Sequence, residues 1–272
     1  MTFKNWCVKT GIQPGIHLIV HSSFRAIRQA FNNPSPHEII DDFKELLTGN
    51  GSLVMPAFTY CFRKKSGPFD SFDPYNSVSK VGALTEVFRH SQDVIRTASA
   101  THSFALWGNI CTEIKSDNAP FSPLGKESVM QWLAEKEDSY ILLLGVDFRS
   151  LSFGHYIENS IPLPWIEKNP WTYMDVESIG ASKSGFQEIS QVPGCSKSFI
   201  NLEKYLLNNN IVQMRKYKNL QAFFIKTDLL LDHGKNYFST FPLNALCPVG
   251  TCAACNTRHA WYAEQIKKEL QS

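Results

Sequence analysis

The chain has 272 residues, 43% of them hydrophobic and 19% charged, and a formal net charge of +2. That length buries a core without disulfide staples, and that composition excludes a disordered chain, a collagen-like repeat and a coiled coil. The charge is too small for sequence-independent binding of nucleic acid, which needs a concentrated basic face. No apolar run approaches the ~20 residues that cross a bilayer. Met1–Gly15 carries charges and lacks the apolar segment of a signal peptide. The expectation is a soluble, cytoplasmic protein with no membrane partner.

In chain order, the first strand signal is His17–His21, a short apolar run. Ser35-Pro36-His37-Glu38 then reads as a capping box ahead of apolar Ile39, Ile40, Phe43, Leu46 and Leu47. Ser52–Pro56 is a second buried strand. Val81–Arg89 and Ser128–Lys136 have helical spacing, and Tyr140–Val146 is a third apolar run. After Glu158, Pro162, Pro164 and Pro170 with Trp165 and Trp171 mark an irregular aromatic loop. Thr172–Val176 and Gln221–Thr227 follow as strand candidates, Lys197–Leu207 as a helix, and a final helix runs from Asn256 to Lys268. Continuous apolar strands alternating with helices predict a layered α/β/α sandwich around a central, largely parallel or mixed sheet. A boundary near residue 165 divides 1–165 from a smaller C-terminal region, 166–272, though no flexible linker marks it and the two can pack as one domain.

Four groups can carry chemistry. His21-Ser22-Ser23-Phe24-Arg25 directly follows a strand, where α/β sheets gather ligands and free N–H groups and hydroxyls bind oxygens. Arg96–Ser103 packs hydroxyls and His102 ahead of apolar Phe104–Trp107. His155 and Glu158, three apart, share one face of a helix, and a carboxylate beside an imidazole suits a general base. Asp73, before Pro74, is a further carboxylate or simply a turn residue. Finally, Cys247-x4-Cys252-x2-Cys255 sets two thiolates on one turn, a half-site for zinc, with Cys247 as third ligand and Cys195 or His259 as fourth. The total of seven cysteines is odd, which argues against a disulfide framework. There is no Gly-rich phosphate loop and no Gly-x-Ser-x-Gly elbow.

Together these stretches resemble the aminoglycoside 3-N-acetyltransferase family. The matching segments are His21–Ile27, Gly51–Tyr60, Phe72–Pro74, Val81–Phe88, Arg96, Thr101–Gly108, Ser122–Gly125, Leu142–Gly145 and His155–Glu158, in the family's order across residues 10–160. The resemblance implies a layered α/β fold and acyl transfer from a coenzyme A thioester to a primary amine. It implies catalytic roles for His155, Glu158, Asp73 and His102, and a cofactor-binding surface at His21, Ser22, Ser23, Phe24, Arg25 and Ser103. Residues 1–165 then form the acyl-coenzyme A core, and 166–272 hold acceptor-binding elements and the cysteine cluster. The family's His-Pro ahead of Thr-His-Ser is Ser99-Ala100 here, and the match fades after residue 165.

Charge then selects an acceptor. Residues 1–195 sum to −3 and residues 196–272 to +5. Aminoglycosides are polycations and call for an acidic enzyme. A basic C-terminal third points instead to a nucleotide-linked amino sugar of the kind used in surface polysaccharide. Trp165, Trp171, Arg215 and Lys216 are the residues expected to meet its base and diphosphate. An aminoglycoside acceptor is the alternative. A zinc-bearing module that binds nucleic acid, built on the cysteines and the Arg258–Lys268 helix, is the remote one, and Glu264 and Glu269 argue against it. Zinc, where bound, is expected to be structural, and a homodimer is the common assembly for such enzymes.

Overall fold

The computed structural model describes residues 1–165, 175–190 and 194–270. Its strands are β1 (His17–Ser22), β2 (Ser52–Pro56), β3 (Phe62–Lys64), β4 (Ile95–Arg96), β5 (Phe104–Gly108), β6 (Ser139–Leu144), β7 (Val176–Ser182), β8 (Gly185–Glu188), β9 (Arg215–Tyr217) and β10 (Leu220–Lys226). Seven of them form one sheet in the order β4-β5-β2-β1-β6-β10-β9. β1 lies parallel to both β2 and β6, and the outer pairings are antiparallel. A small antiparallel sheet, β3-β7-β8, stands beside it.

The central strands are apolar on both faces, so helices must cover both. Leu18, Val20, Leu53, Met55, Leu142 and Leu144 point into one core; Ile19, Val54, Ile141 and Leu143 point into the other. On the first face lie α1 (Phe3–Thr10), α2 (Phe24–Ala30), α3 (Pro36–Leu47) and α4 (Ala83–Phe88). On the second lie α5 (Ile110–Glu113), α6 (Val129–Glu135), α7 (Phe153–Asn159), α8 (Phe199–Asn208), α9 (Thr227–Thr240) and α10 (Ala253–Glu269). Each fully buried Leu or Ile contributes about 1.5–3 kcal/mol. The predicted sandwich around a mixed sheet is therefore present.

Local chemistry sets the boundaries. The capping box of α3 is complete: Ser35 N–H donates to Glu38 Oε2 at 2.7 Å and Glu38 N–H to Ser35 Oγ at 3.2 Å. The strand read as Tyr140–Val146 ends at Leu144, because Gly145 takes φ +71° and turns the chain. The last helix starts three residues before Asn256, at Ala253, which places Cys255 in its first turn. Of the strand expected over Thr172–Val176, only its end matches β7; residues 172–174 lie outside the described residues. Beyond residue 165, β9 and β10 extend the sheet of the first half, and Phe223 and Ile225 enter the same core as Ile141.

Helix α7 presses closely on α8. A Cβ on Gly154 would lie 2.4 Å from the Phe199 ring, a separation no real contact allows. Gly154→Ala should therefore destabilise the protein by about 1–3 kcal/mol through overpacking. Urea titration reads this as a lowered midpoint, and an unchanged midpoint would show that the two helices can yield.

Candidate active site

The carboxyl ends of the parallel strands β1, β2 and β6 open into a cleft of about 560 Å³. Val20, His21 and Ser22 come from β1, Pro56 and Phe58 from the end of β2, and Val146 from just past β6. Ligands gather at such strand ends because the loops diverge there and leave N–H groups free. His102, Ser152 and His155 form a further wall, and the Gly194–Lys197 turn with Cys252 closes another side.

His155 sits in α7 with its ring 4.9 Å from that of Phe199. Its Nδ1 is 2.7 Å from Glu158 Oε2, as the three-residue spacing predicts. Glu158 is 2% exposed and His155 7%. A carboxylate at Nδ1 makes that nitrogen the N–H donor and leaves Nε2 as the basic one. The other carboxylate oxygen, Oε1, faces Arg258 Nη1 at 3.8 Å. Arg258 comes from α10 and is itself 2% exposed. Sequence reasoning missed this partner and gave Arg258 only to the nucleic-acid alternative. The available signal was its place one helical turn after Cys255.

His102 lines the cleft with its ring edge-on to Phe58 and Tyr60, and its Nδ1 lies 2.9 Å from Thr101 Oγ1. His21 also lines it, and its buried Nε2 has no hydrogen-bond partner. Burial pushes both imidazoles down to about 3, with the nearby His155 adding to the effect on His102. Both are therefore neutral at physiological pH. Ser22 lines the cleft and also a second, open shelf with Ser23, Phe24, Arg25 and Arg28. Ser23 caps α2, accepting from Ala26 N–H at 3.3 Å.

Ser103, Asp73, Trp165, Arg215 and Lys216 are brought to neither the cleft nor the shelf. Ser103 is fully buried: its hydroxyl donates to the Ala57 carbonyl at 2.8 Å and accepts from Arg96 Nε at 3.0 Å, so it braces the loop. Asp73 is a turn residue. It accepts from Asn76 and Tyr75 N–H groups at 2.8 and 2.9 Å and pairs with Lys183 at 3.0 Å. The Asn76 N–H foremost, with its side-chain amide and Lys183, holds this carboxyl well below the usual range. Trp165 is sealed in the core against Tyr262, because its indole is too large and apolar for the surface. Arg215 and Lys216 are exposed on β9, the last strand of the sheet. Trp171 lies outside the described residues.

The four cysteines do meet. The Sγ atoms of Cys195, Cys247, Cys252 and Cys255 all lie within 4.8 Å of one another. His259, the other candidate for fourth ligand, turns away, its Nε2 lying 2.8 Å from the Cys247 carbonyl oxygen. Cys195 and Cys247 stand 3.7 Å apart, far too long for a disulfide at about 2.05 Å. Four thiolates around zinc at about 2.3 Å would be separated by about 3.8 Å. Lys197 N–H donates to Cys195 Sγ at 3.4 Å. Donation from Cys255 above all, and from this amide, lowers the Cys195 thiol against the opposing effect of burial.

A profile of the aminoglycoside 3-N-acetyltransferase family matches residues 19–239. The chain belongs to that family. It is accordingly a coenzyme A-dependent N-acyltransferase. The SPbeta prophage-derived aminoglycoside N(3')-acetyltransferase-like protein YokD of Bacillus subtilis (strain 168) is 26% identical over 210 residues, 66% of this chain and 75% of that protein. Aminoglycoside N(3)-acetyltransferase IV of Salmonella sp is 32% identical over 158 residues, 57% of this chain and 56% of that protein. The crystal structure of aminoglycoside acetyltransferase AAC(3)-IVa as apoenzyme shares the fold, with TM-score 0.76 at 22% identity over 93% of each chain.

These findings overturn the nucleotide-sugar acceptor expected from charge, since the family and both relatives are aminoglycoside acetyltransferases or like them. The physical reason is that net charge sums a whole surface, whereas few groups at a cleft choose the acceptor. Arg149, at the rim, is already held through its Nε by both carboxylate oxygens of Asp147 at 3.0 Å. The expected base and diphosphate contacts at Arg215, Lys216 and Trp165 are also away from the cleft. No helix among the described residues is long and apolar enough to cross a membrane.

The two buried histidines give a pH signature. Unfolded, each takes up a proton near 6.5; folded, each refuses it until about 3. The unfolded state therefore binds more protons between those values, and stability falls as pH drops through that window. Each histidine contributes up to about 1.4 kcal/mol per pH unit there. Urea unfolding at pH 7 and pH 5 should show the decline, and His21→Gln or His102→Gln should each make it shallower. A decline as steep as that of wild type in both variants would reject the assignment.

Proposed function

We propose that the protein transfers an acetyl group from acetyl-coenzyme A to the 3-amino group of an aminoglycoside. The observation that carries this reading is the buried His155–Glu158 pair opening on a cleft at the strand ends, in a chain of this family. Two proteins of the same fold support the substrates: one was solved with CoASH, at TM-score 0.71 and 17% identity, and one with a gentamicin, at TM-score 0.72 and 23% identity. The reaction belongs in the cytoplasm, where coenzyme A thioesters are made.

The acceptor amine is an ammonium near neutral pH and cannot attack. Once the ammonium has lost one proton to solvent, the free amine adds to the thioester carbonyl, and His155, oriented by Glu158, takes a second proton from that nitrogen at Nε2. The C–N bond forms, the C–S bond breaks, and the departing thiolate of coenzyme A takes the proton. Neutral His102 and His21 and the Ser22 hydroxyl face the reacting carbonyl from the other walls, where hydrogen bonds stabilise developing oxyanion charge. The shelf at Ser23, Phe24, Arg25 and Arg28 suits the anionic part of coenzyme A, with Ser22 joining shelf and cleft. No cysteine takes part, because no acyl-enzyme is needed.

Cys195, Cys247, Cys252 and Cys255 hold a zinc ion in this reading, supported by their spacing and their four soft thiolate donors. Four protein ligands leave no open position, so the ion is structural and supplies cross-linking rather than Lewis acidity.

Release of free thiol from acetyl-coenzyme A should require gentamicin, and a folded His155→Ala protein should turn over about 10²–10⁴-fold more slowly. Absence of thiol release with aminoglycosides would remove the acceptor assignment, and near-normal turnover of His155→Ala would remove the base. Protein purified without chelator should contain one zinc per chain by metal analysis, and Cys252→Ser should lose it. A metal-free wild-type protein would rule the ion out.

A further inference from the structure

The cysteine cluster and the catalytic pair meet in one side chain. Arg258 follows Cys255 by one turn of α10. Its Nε and Nη1 are buried and have no hydrogen-bond partner among the described residues, and neither has the Glu158 Oε1 that Nη1 faces at 3.8 Å. Gly194 lies so close to the guanidinium that a Cβ there would stand 2.3 Å from Nη1. Cys195 is the next residue. Both walls of the Arg258 slot, the Gly194 turn and the first turn of α10, are thus attached to the same four sulfurs.

Helix α10 docks through its first half. Its first turn buries Ala254 and Cys255, and Trp261 and Tyr262 pack half-buried against the core. From Ala263 onward the helix is mostly exposed. Arg258 lies between these two contacts, one turn from the cysteine end.

We propose that Arg258 is a positioning residue for the His155–Glu158 pair, and that a zinc ion bound by the four cysteines keeps it there, so that acyl transfer depends on the metal through Arg258. The inference rests on His155 acting as the base. A buried carboxylate needs a compensating cation, and Arg258 supplies it from the side opposite the imidazole. Glu158 is then fixed while it accepts a hydrogen bond from His155 Nδ1–H. When the ion leaves, the Gly194 turn and α10 are no longer tied together, and the guanidinium loses its slot.

The test crosses the metal with the side chain. Wild type, Arg258→Met and Arg258→Lys are compared with zinc bound and after removal by a thiol-reactive mercurial plus chelator and thiol reductant. Arg258→Met should keep its zinc and both KM values while kcat falls about tenfold to a hundredfold, the usual cost of losing a partner behind a catalytic histidine. Arg258→Lys, which keeps the charge, should recover part of the loss. Zinc removal should lower wild-type kcat by a similar factor and cost Arg258→Met nothing further. Gly194→Ala, which displaces the guanidinium while leaving every thiolate in place, should mimic Arg258→Met. Wild-type kcat in Arg258→Met, or an equal loss on stripping zinc from wild type and from Arg258→Met, would overturn the proposal. The far-downfield NMR signal of the His155 Nδ1 proton supplies a readout without substrate. It should vanish in zinc-free wild type and in Arg258→Met, and its persistence in both would overturn the proposal even if no acceptor is ever acylated. Loss of that signal with no acyl transfer in wild type would instead fault the functional reading alone.

Discussion

Burial of the Glu158 carboxylate is the constraint on which the rest of this structure turns. A carboxylate taken out of water costs several kcal/mol unless charge and hydrogen bonds compensate it. Here one oxygen accepts a hydrogen bond from His155 Nδ1 at 2.7 Å and the other faces the Arg258 guanidinium at 3.8 Å. The two partners come from places 103 residues apart in the chain. The compensation therefore exists only when α7 and α10 are both docked, and docking α7 depends on the close approach of Gly154 to Phe199. The imidazole inherits its orientation from this arrangement.

Around that pair the protein keeps ionisable groups neutral. His21 and His102 approach the same cleft, and burial denies both a proton. Two uncharged imidazoles beside a base avoid competing with it for the substrate's proton. They also leave polar edges facing a cleft that Phe58, Val20 and Leu151 line with apolar surface. In such surroundings hydrogen bonds act more strongly than in water. The small β3-β7-β8 sheet steadies this wall: Gln187 from β8 bonds the Ala98 carbonyl and the Ala100 N–H, each at 2.8 Å, on the loop that carries His102.

Residue spacing was a good guide where the chemistry is local. The Ser35 capping box, the apolar runs of β1, β2 and β6, and the His155–Glu158 pair each lie within a few residues of sequence, and each formed, with β6 ending two residues early. Net charge was a poor guide to the acceptor because it carries no information about location. Arg215 and Lys216, which weigh most in the basic tail's appeal, ended on the last strand of the sheet. Trp165 looked like a stacking platform in a proline-rich loop and became core. Ser103 and Asp73 sat inside motifs of the right kind, yet their hydrogen bonds are spent on bracing the loop and capping a turn.

The sequence by itself determined the layered sandwich, the acyltransferase family, the His–Glu pair and three of the clustered cysteines. These are legible because hydrophobic period, capping and short spacings act between neighbours in the chain. Only the tertiary structure decided that Cys195 rather than His259 completes the thiolate cluster, that His21 and His102 are buried neutral, and that Arg258 faces Glu158. Those relations join residues separated by dozens to a hundred positions. No local preference encodes them; they arise from the way two helices and a glycine turn pack over the ends of the parallel strands.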